Sequence, residues 1–148
     1  MARNQAFIAA PLKDVFALLA SPATYADWVV GSRDIVSADE GWPAAGSEFE
    51  HVVGVPPLLI QDRTKVVAAS PPRRLELHAR ARPLPSARIT FDLLPEGNGT
   101  RVTMIEDFDN GLVDLLARPF GHLAMRLRNR ETLRRLKRLA EGELARAA

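Results

Sequence analysis

Cysteine is absent from the chain. That excludes disulfides, thiol catalysis and cysteine-ligated zinc, and it fits a reducing compartment. Long apolar runs are missing as well. None approaches the length of a membrane span, and the opening stretch, MARNQAFIAAPLKDVF, lacks the extended apolar core of a signal peptide. A cytoplasmic protein without a membrane span is expected. No serine sits in a Gly-x-Ser-x-Gly elbow, so that hydrolase signature is absent. The three histidines, His51, His78 and His122, have no metal-ligand spacing. Neither a metal nor a cofactor is implied. No repeat, low-complexity tract or linker divides the 148 residues, which suit one domain over 1–148.

What is present is an ordinary globular balance, with 47% hydrophobic and 26% charged residues. A chain of this length can bury a core without disulfides or metals. The net charge of +2 is unevenly spread. Residues 111–148 hold nine Lys/Arg against four Asp/Glu, while residues 1–110 hold eleven against fourteen. The basic residues of the last segment, Arg126, Arg128, Arg130, Arg134, Arg135, Lys137 and Arg138, spread around a helix rather than along one face. They read as a solvated surface, and no nucleic-acid partner is expected.

The order of elements can be read from periodicity. NQAFIAA is a short strand. APLKDVFALLA follows as a helix, with Pro11 placed for its first turn and Leu12, Val15, Phe16 and Leu19 at helical spacing. SPATYADW reads as a second short helix, with Ser21 as cap and Tyr25 and Trp28 on one side. Strand signals then run without interruption. Ser47, Phe49, His51 and Val53 share one face; Ile60, Asp62, Thr64 and Val66 share another. Leu75, Leu77, Ala79 and Ala81 point inward from the next strand, as do Ala87, Ile89, Phe91 and Leu93 from the one after it. PEGNG is a hairpin turn into RVTMIEDF, where Val102, Met104, Glu106 and Phe108 share a parity. Such alternation defines an antiparallel sheet with one wet face. Its cover is the C-terminal helical stretch, begun by Leu112, Leu115, Leu116, Phe120 and Leu123 and continued by Met125, Asn129, Leu133, Leu136 and Ala140. The two stripes are not collinear, so a kink or break is expected near Pro119 and Gly121.

The stretches APLKDVFALLASPATYADW, GSEFEH, SPPRRLEL, PEGNGTRVTMIEDF and NRETLRRLKRLAE, in this order, resemble the START-like or SRPBCC superfamily. Within it they are most similar to the polyketide cyclase/dehydrase and lipid-transport group. The resemblance covers nearly the whole chain. It implies an α+β helix-grip fold: β-α-α, six strands, then a long C-terminal helix wrapped by a curved antiparallel sheet. It also implies a cavity between sheet and helix for an apolar or amphipathic small molecule. The mouth of that cavity would lie around Tyr25, Trp28, Leu112, Leu116 and Phe120. The resemblance carries no catalytic signature, and fold alone does not define a reaction.

Three ionisable groups fall on the inward faces, namely His51, Asp62 and Glu106. An unpaired buried charge costs roughly 3–5 kcal/mol, so each needs a partner. If Val53 lies opposite Ile60 in the hairpin of 47–53 and 59–67, His51 lies opposite Asp62, at ~5 Å between Cβ atoms. A carboxylate orients an imidazole for proton transfer. An acid in an apolar site can remain protonated and donate a hydrogen bond to a ligand carbonyl, which suits enolate-forming cyclisation or dehydration. The expected ligand wall comprises Phe49, Ile60, Thr64, Leu77, Phe91, Met104 and Phe108, together with the mouth residues.

Two functions fit. The first is binding of a lipid- or polyketide-like small molecule. The alternative is a polyketide cyclase, aromatase or dehydratase that uses His51, Asp62 and Glu106 as acid-base groups. No oligomeric state is implied.

Overall fold

A computed structural model describes residues 1–80, 85–110 and 120–147. The first strand, β1 (Ala2–Ile8), is followed by helix α1 (Leu12–Leu19), which buries Val15, Phe16 and Leu19 at the spacing expected of one helix face. A 3-10 turn (Pro22–Thr24) and a single helical turn, α2 (Tyr25–Trp28), come next. Ser21 makes no side-chain cap. The tie is made by Thr24 instead. Its hydroxyl donates to the Leu18 and Ser21 carbonyls, at 3.0 and 3.1 Å, and accepts from Trp28 Nε1 at 3.3 Å. One side chain thereby pins the end of α1 to α2 and aims Trp28 into the core, where it is fully buried.

Six strands follow: β2 (Ser32–Ala38), β3 (Glu48–Val55), β4 (Leu58–Ser70), β5 (Arg74–Arg80), β6 (Ala87–Glu96) and β7 (Gly99–Phe108). They form one antiparallel sheet in the order β1-β7-β6-β5-β4-β3-β2. Each strand from β2 to β7 pairs with the next in sequence, so short turns set the registers. In the β6–β7 hairpin, Glu96 pairs with Gly99 across Gly97 and Asn98, with Gly97 at φ 55°. The register Val53↔Ile60 and His51↔Asp62 is the one expected from the hydrophobic pattern. In β4 an extra residue between Val66 and Ala68 resets the parity. Val66 and Ala69 therefore both face inward, and Val67 faces out.

The last helix, α3 (Phe120–Ala147), lies against β1 and α2. It buries Met125, Asn129, Thr132, Leu133, Leu136 and Ala140, the stripe expected of it with Thr132 added. Its first turns differ from expectation. Phe120 is 82% exposed, and Leu123 faces solvent with it. Leu112, Leu115, Leu116 and the bend expected at Pro119 lie outside the described residues. The core between sheet and helices holds Trp28, Phe49, Leu77, Phe91, Leu93 and Leu136, all essentially buried. Fully burying such a side chain contributes about 1.5–3 kcal/mol. The architecture is a helix-grip fold, a curved sheet closed over a C-terminal helix.

Candidate functional site

The inward histidine and aspartate meet. His51 Nε2 lies 2.7 Å from Asp62 Oδ2, and the two residues are 2% and 5% exposed. Thr64 Oγ1 donates to the same carboxylate oxygen at 3.2 Å. Asp62 Oδ1 is buried and has no hydrogen-bond partner among the described residues. The other ring nitrogen, His51 Nδ1, lies 2.7 Å from Ser32 Oγ. The ring tautomer sets the roles: in the neutral tautomer protonated at Nε2, the ring donates to the Asp62 carboxylate and Nδ1 accepts from the Ser32 hydroxyl. Ser32, His51 and Asp62 thus form a single chain of hydrogen bonds. Tyr25 and Phe49 pack around the imidazole, with ring centroids 5.5 and 4.9 Å from it.

Ser32 was not among the residues expected to matter. Its place depends on a break in strand register. Ile35 pairs with His51, so an unbroken ladder would set Arg33 opposite Val53. A bulge puts Ser32 opposite Val53 instead, on the same face as His51 and diagonally adjacent to it. The turn before it is held from α3, where Thr132 Oγ1 accepts from the Val30 amide at 3.2 Å, and from β3, where Gly54 N–H donates to the Gly31 carbonyl at 2.9 Å.

Glu106, 4% exposed, sits on β7 opposite Ala2 of β1 and Ile89 of β6. Asn129 of α3 donates to its Oε2 at 2.8 Å, and Arg128 approaches Oε1 at 3.5 Å. Both neighbours are donors. Glu106 thus accepts from the Asn129 amide and faces a cation, where an apolar surrounding was expected. Neither Asn129 nor Arg128 was singled out as its partner. The helical stripe placed Asn129 in the core, but nothing in the sequence aligned it with β7. The Tyr25 hydroxyl is pushed up from its usual pKa, first by burial and then by the Asp62 charge; Glu106 adds to this and Arg128 opposes it.

Some of these groups border a hollow of about 400 Å³ at one end of the sheet. Apolar contributions come from Val29, Val53, Ile60, Ala79, Ala87 and Phe108, and the polar ones from Ser32, Asp62, Glu106 and Arg128. A volume of this size lies in the range, roughly 300–1,000 Å³, typical of small-molecule sites. Of the expected ligand wall, Ile60 and Phe108 border the hollow. Tyr25, Trp28, Phe49, Thr64, Leu77, Phe91 and Met104 lie deeper, packed in the buried interior. Phe120 lies on the outer surface, and Leu112 and Leu116 fall outside the described residues. Among the described residues, the hollow thus lies toward Ser32, Ile60 and Phe108, and the large buried side chains of the core are not part of its lining. Among the described residues, no cluster of three His, Asp or Glu side chains is placed to hold a metal ion, and no helix is long and apolar enough to cross a membrane.

A sheet gripping a C-terminal helix, with a hollow between them, places this chain in the SRPBCC, or START-like, superfamily. Within it, residues 2–141 match the family described as polyketide cyclase/dehydrase and lipid transport, and the chain belongs to that family. A comparison with curated protein sequences finds no match. Among solved structures, the fold is similar to that of a protein from Rhodobacter sphaeroides, with TM-score 0.72 and 24% identity over 95% of this chain and 91% of that one. It is similar also to TTHA0849 from Thermus thermophilus, with TM-score 0.70 and 19% identity over 96% and 97% of the two chains. A third, DynU16 of the dynemicin biosynthetic locus, has TM-score 0.69 and 18% identity over 95% of this chain, which spans 46% of that protein.

Proposed function

We propose that the protein binds an amphipathic small molecule of lipid- or polyketide-like character in the hollow between sheet and α3. One observation carries the reading: an apolar-walled space of about 400 Å³ bordered by a few convergent polar groups. The family description points the same way, as does the likeness in fold to DynU16, a protein of the dynemicin biosynthetic locus. The apolar body of the ligand would lie against Val53, Ile60, Ala87 and Phe108, with its polar end toward Asp62, Glu106 and Arg128. Native mass spectrometry of the purified protein tests this directly. A bound small molecule that is lost on Ala79→Trp supports it; a ligand-free chain that also fails to take up an apolar fluorescent dye refutes it.

A second reading is favoured by the His51–Asp62 contact. A histidine oriented by a carboxylate can accept a proton during cyclisation, aromatisation or dehydration of a polyketide-like ligand. Glu106, facing two donors, would serve there as a charge and not as a proton donor. Turnover lost in His51→Ala with affinity retained separates this reading from binding alone. A solvated basic helix as a nucleic-acid surface gains nothing from the structure. Arg134 and Arg135 are held by Glu131, and Lys137 by Glu141 and the Phe7 carbonyl.

A further inference from the structure

His51 does not border the hollow, but Ser32 does. Ser32 therefore stands between the imidazole and a molecule in the hollow, which Asp62 borders as well. The chain Ser32 Oγ–His51 Nδ1 (2.7 Å) and His51 Nε2–Asp62 Oδ2 (2.7 Å) has the connectivity of a nucleophile, its base and the carboxylate that orients the base. The two ring nitrogens are exchanged relative to the serine-protease arrangement, but the roles depend on which nitrogen is protonated and not on its label. In the tautomer protonated at Nε2, the carboxylate holds that proton and leaves Nδ1 free to accept. The Arg128 guanidinium borders the same hollow, 3.5 Å from Glu106, and brings positive charge to its lining. No other serine hydroxyl among the described residues has a hydrogen bond to an imidazole.

We propose that Ser32 is a catalytic nucleophile that cleaves small apolar esters or thioesters held in this hollow. The inference rests on the hollow being a ligand site. In the first step Ser32 Oγ attacks the acyl carbon as its proton moves to His51 Nδ1. The carbon–leaving-group bond breaks, and the leaving alkoxide or thiolate takes that proton from His51. The result is an acyl-Ser32 ester and a free alcohol or thiol. In the second step water attacks the acyl carbon and gives a proton to His51 Nδ1; that proton returns to Ser32 Oγ as the acyl bond breaks. The sum is ester plus water giving acid plus alcohol, with no redox change and no further co-reactant. Sequence inspection excluded only the Gly-x-Ser-x-Gly elbow. This serine lies at the start of a bulged strand, where no local motif marks it.

The test is covalent trapping with an alkyl fluorophosphonate, read by intact mass and peptide mapping, beside p-nitrophenyl butyrate hydrolysis and titration with an apolar fluorescent dye. One phosphonate per chain on the Ser32 peptide is expected. Ser32→Ala should lose the adduct and at least tenfold in hydrolysis, with a thermal melt that shows the fold intact. His51→Gln should slow labelling at least tenfold. Ser32→Cys provides a second variant that keeps a nucleophile, and it should be acylated by the same ester. Dye binding without any adduct on Ser32 overturns the nucleophile and leaves the hollow standing as a ligand site. Failure of both dye binding and labelling overturns both readings. Equal labelling of wild type and Ser32→Ala also overturns the assignment.

Discussion

His51 Nε2 and Asp62 Oδ2 stand 2.7 Å apart across the β3–β4 ladder, and neither side chain meets solvent to any extent. A contact of this kind is better judged by what its removal leaves behind than by its own strength. Asp62→Ala strands a ring N–H in the interior, which costs about 1–3 kcal/mol. His51→Phe strands a buried carboxylate and should cost more, about 3–5 kcal/mol. The double variant His51→Phe/Asp62→Leu removes both groups and should fall well short of the summed costs. Urea melts of the four proteins check this, and strict additivity would mean that the two groups do not interact.

Glu106 gives a parallel case with a different partner. Glu106→Gln keeps an oxygen for the Asn129 amide, and Arg128, partly exposed, can turn to water. A change within about 1 kcal/mol is expected. Glu106→Leu leaves the buried Asn129 amide with no acceptor, and about 1–3 kcal/mol should be lost. Thermal melts that rank the two variants in the opposite order would show that charge, and not the hydrogen bond, governs this position.

How far these sites were legible in the sequence follows from what each depends on. The His51–Asp62 pair was readable because a short hairpin links two alternating strands and leaves few registers. Glu106 was readable as an inward acid, but its partner was not, since Asn129 comes from a helix 23 residues away whose rotation no local pattern sets. Ser32 was hidden by two register shifts in β2, because parity counting assumes an unbroken ladder. The fold was legible because its strands alternate cleanly and its turns carry their own signals. The position of the hollow was not, because it depends on how large side chains such as Phe91 and Trp28 pack against each other, at 5.9 Å between ring centroids.

That position changes which substitution tests binding. By the alternation alone, Phe91→Arg would place a charge on a cavity wall. In the structure Phe91 is 1% exposed and packed on Trp28. The variant should fail to fold, losing about 3–5 kcal/mol or more. Ala79 borders the hollow without filling the core. Ala79→Trp should lower dye or ligand affinity at least tenfold while the melting temperature moves by only a few degrees. Unchanged affinity would move the site elsewhere.

The acid limb of stability has two identifiable contributors on α3, Glu131 and Glu141, whose carboxyls are both lowered. Hydrogen bonds from Arg134 and then Arg135 pull the Glu131 carboxyl down from 4.5 to about 2. A carboxyl lowered in the folded state favours folding above its unfolded pKa, and that contribution fades as pH falls toward the folded value. The window therefore runs from about 4.5 down to about 2. Because the group is exposed, the effect on stability should be small and weakened by salt. Carboxyl NMR titration should place the Glu131 midpoint near 2, and Glu131→Gln should flatten that part of the pH–stability curve. A midpoint in the usual carboxylate range would mean that the two arginines do not hold it.

Gly54 couples the backbone to the hollow. It lies at φ 114°, a conformation that residues with a Cβ rarely adopt, and a Cβ there would come within 2.2 Å of the Leu58 carbonyl oxygen. The obstacle is backbone, so no rotamer change relieves it. Gly54→Ala must open the ladder where Gly54 pairs with Leu59 and Val53 with Ile60. Val53 and Ile60 both wall the hollow, so stability and dye binding should fall together, with a stability loss above the ~1–3 kcal/mol of simple backbone strain. Gly97 supplies the control. It also has a positive φ, 55°, but a Cβ there meets nothing within 4 Å, and it lies in the β6–β7 turn rather than beside the hollow. Gly97→Ala should cost about 1 kcal/mol and leave binding untouched. If the two variants lose stability and binding alike, the steric contact at Leu58 is not what sets the β3–β4 turn.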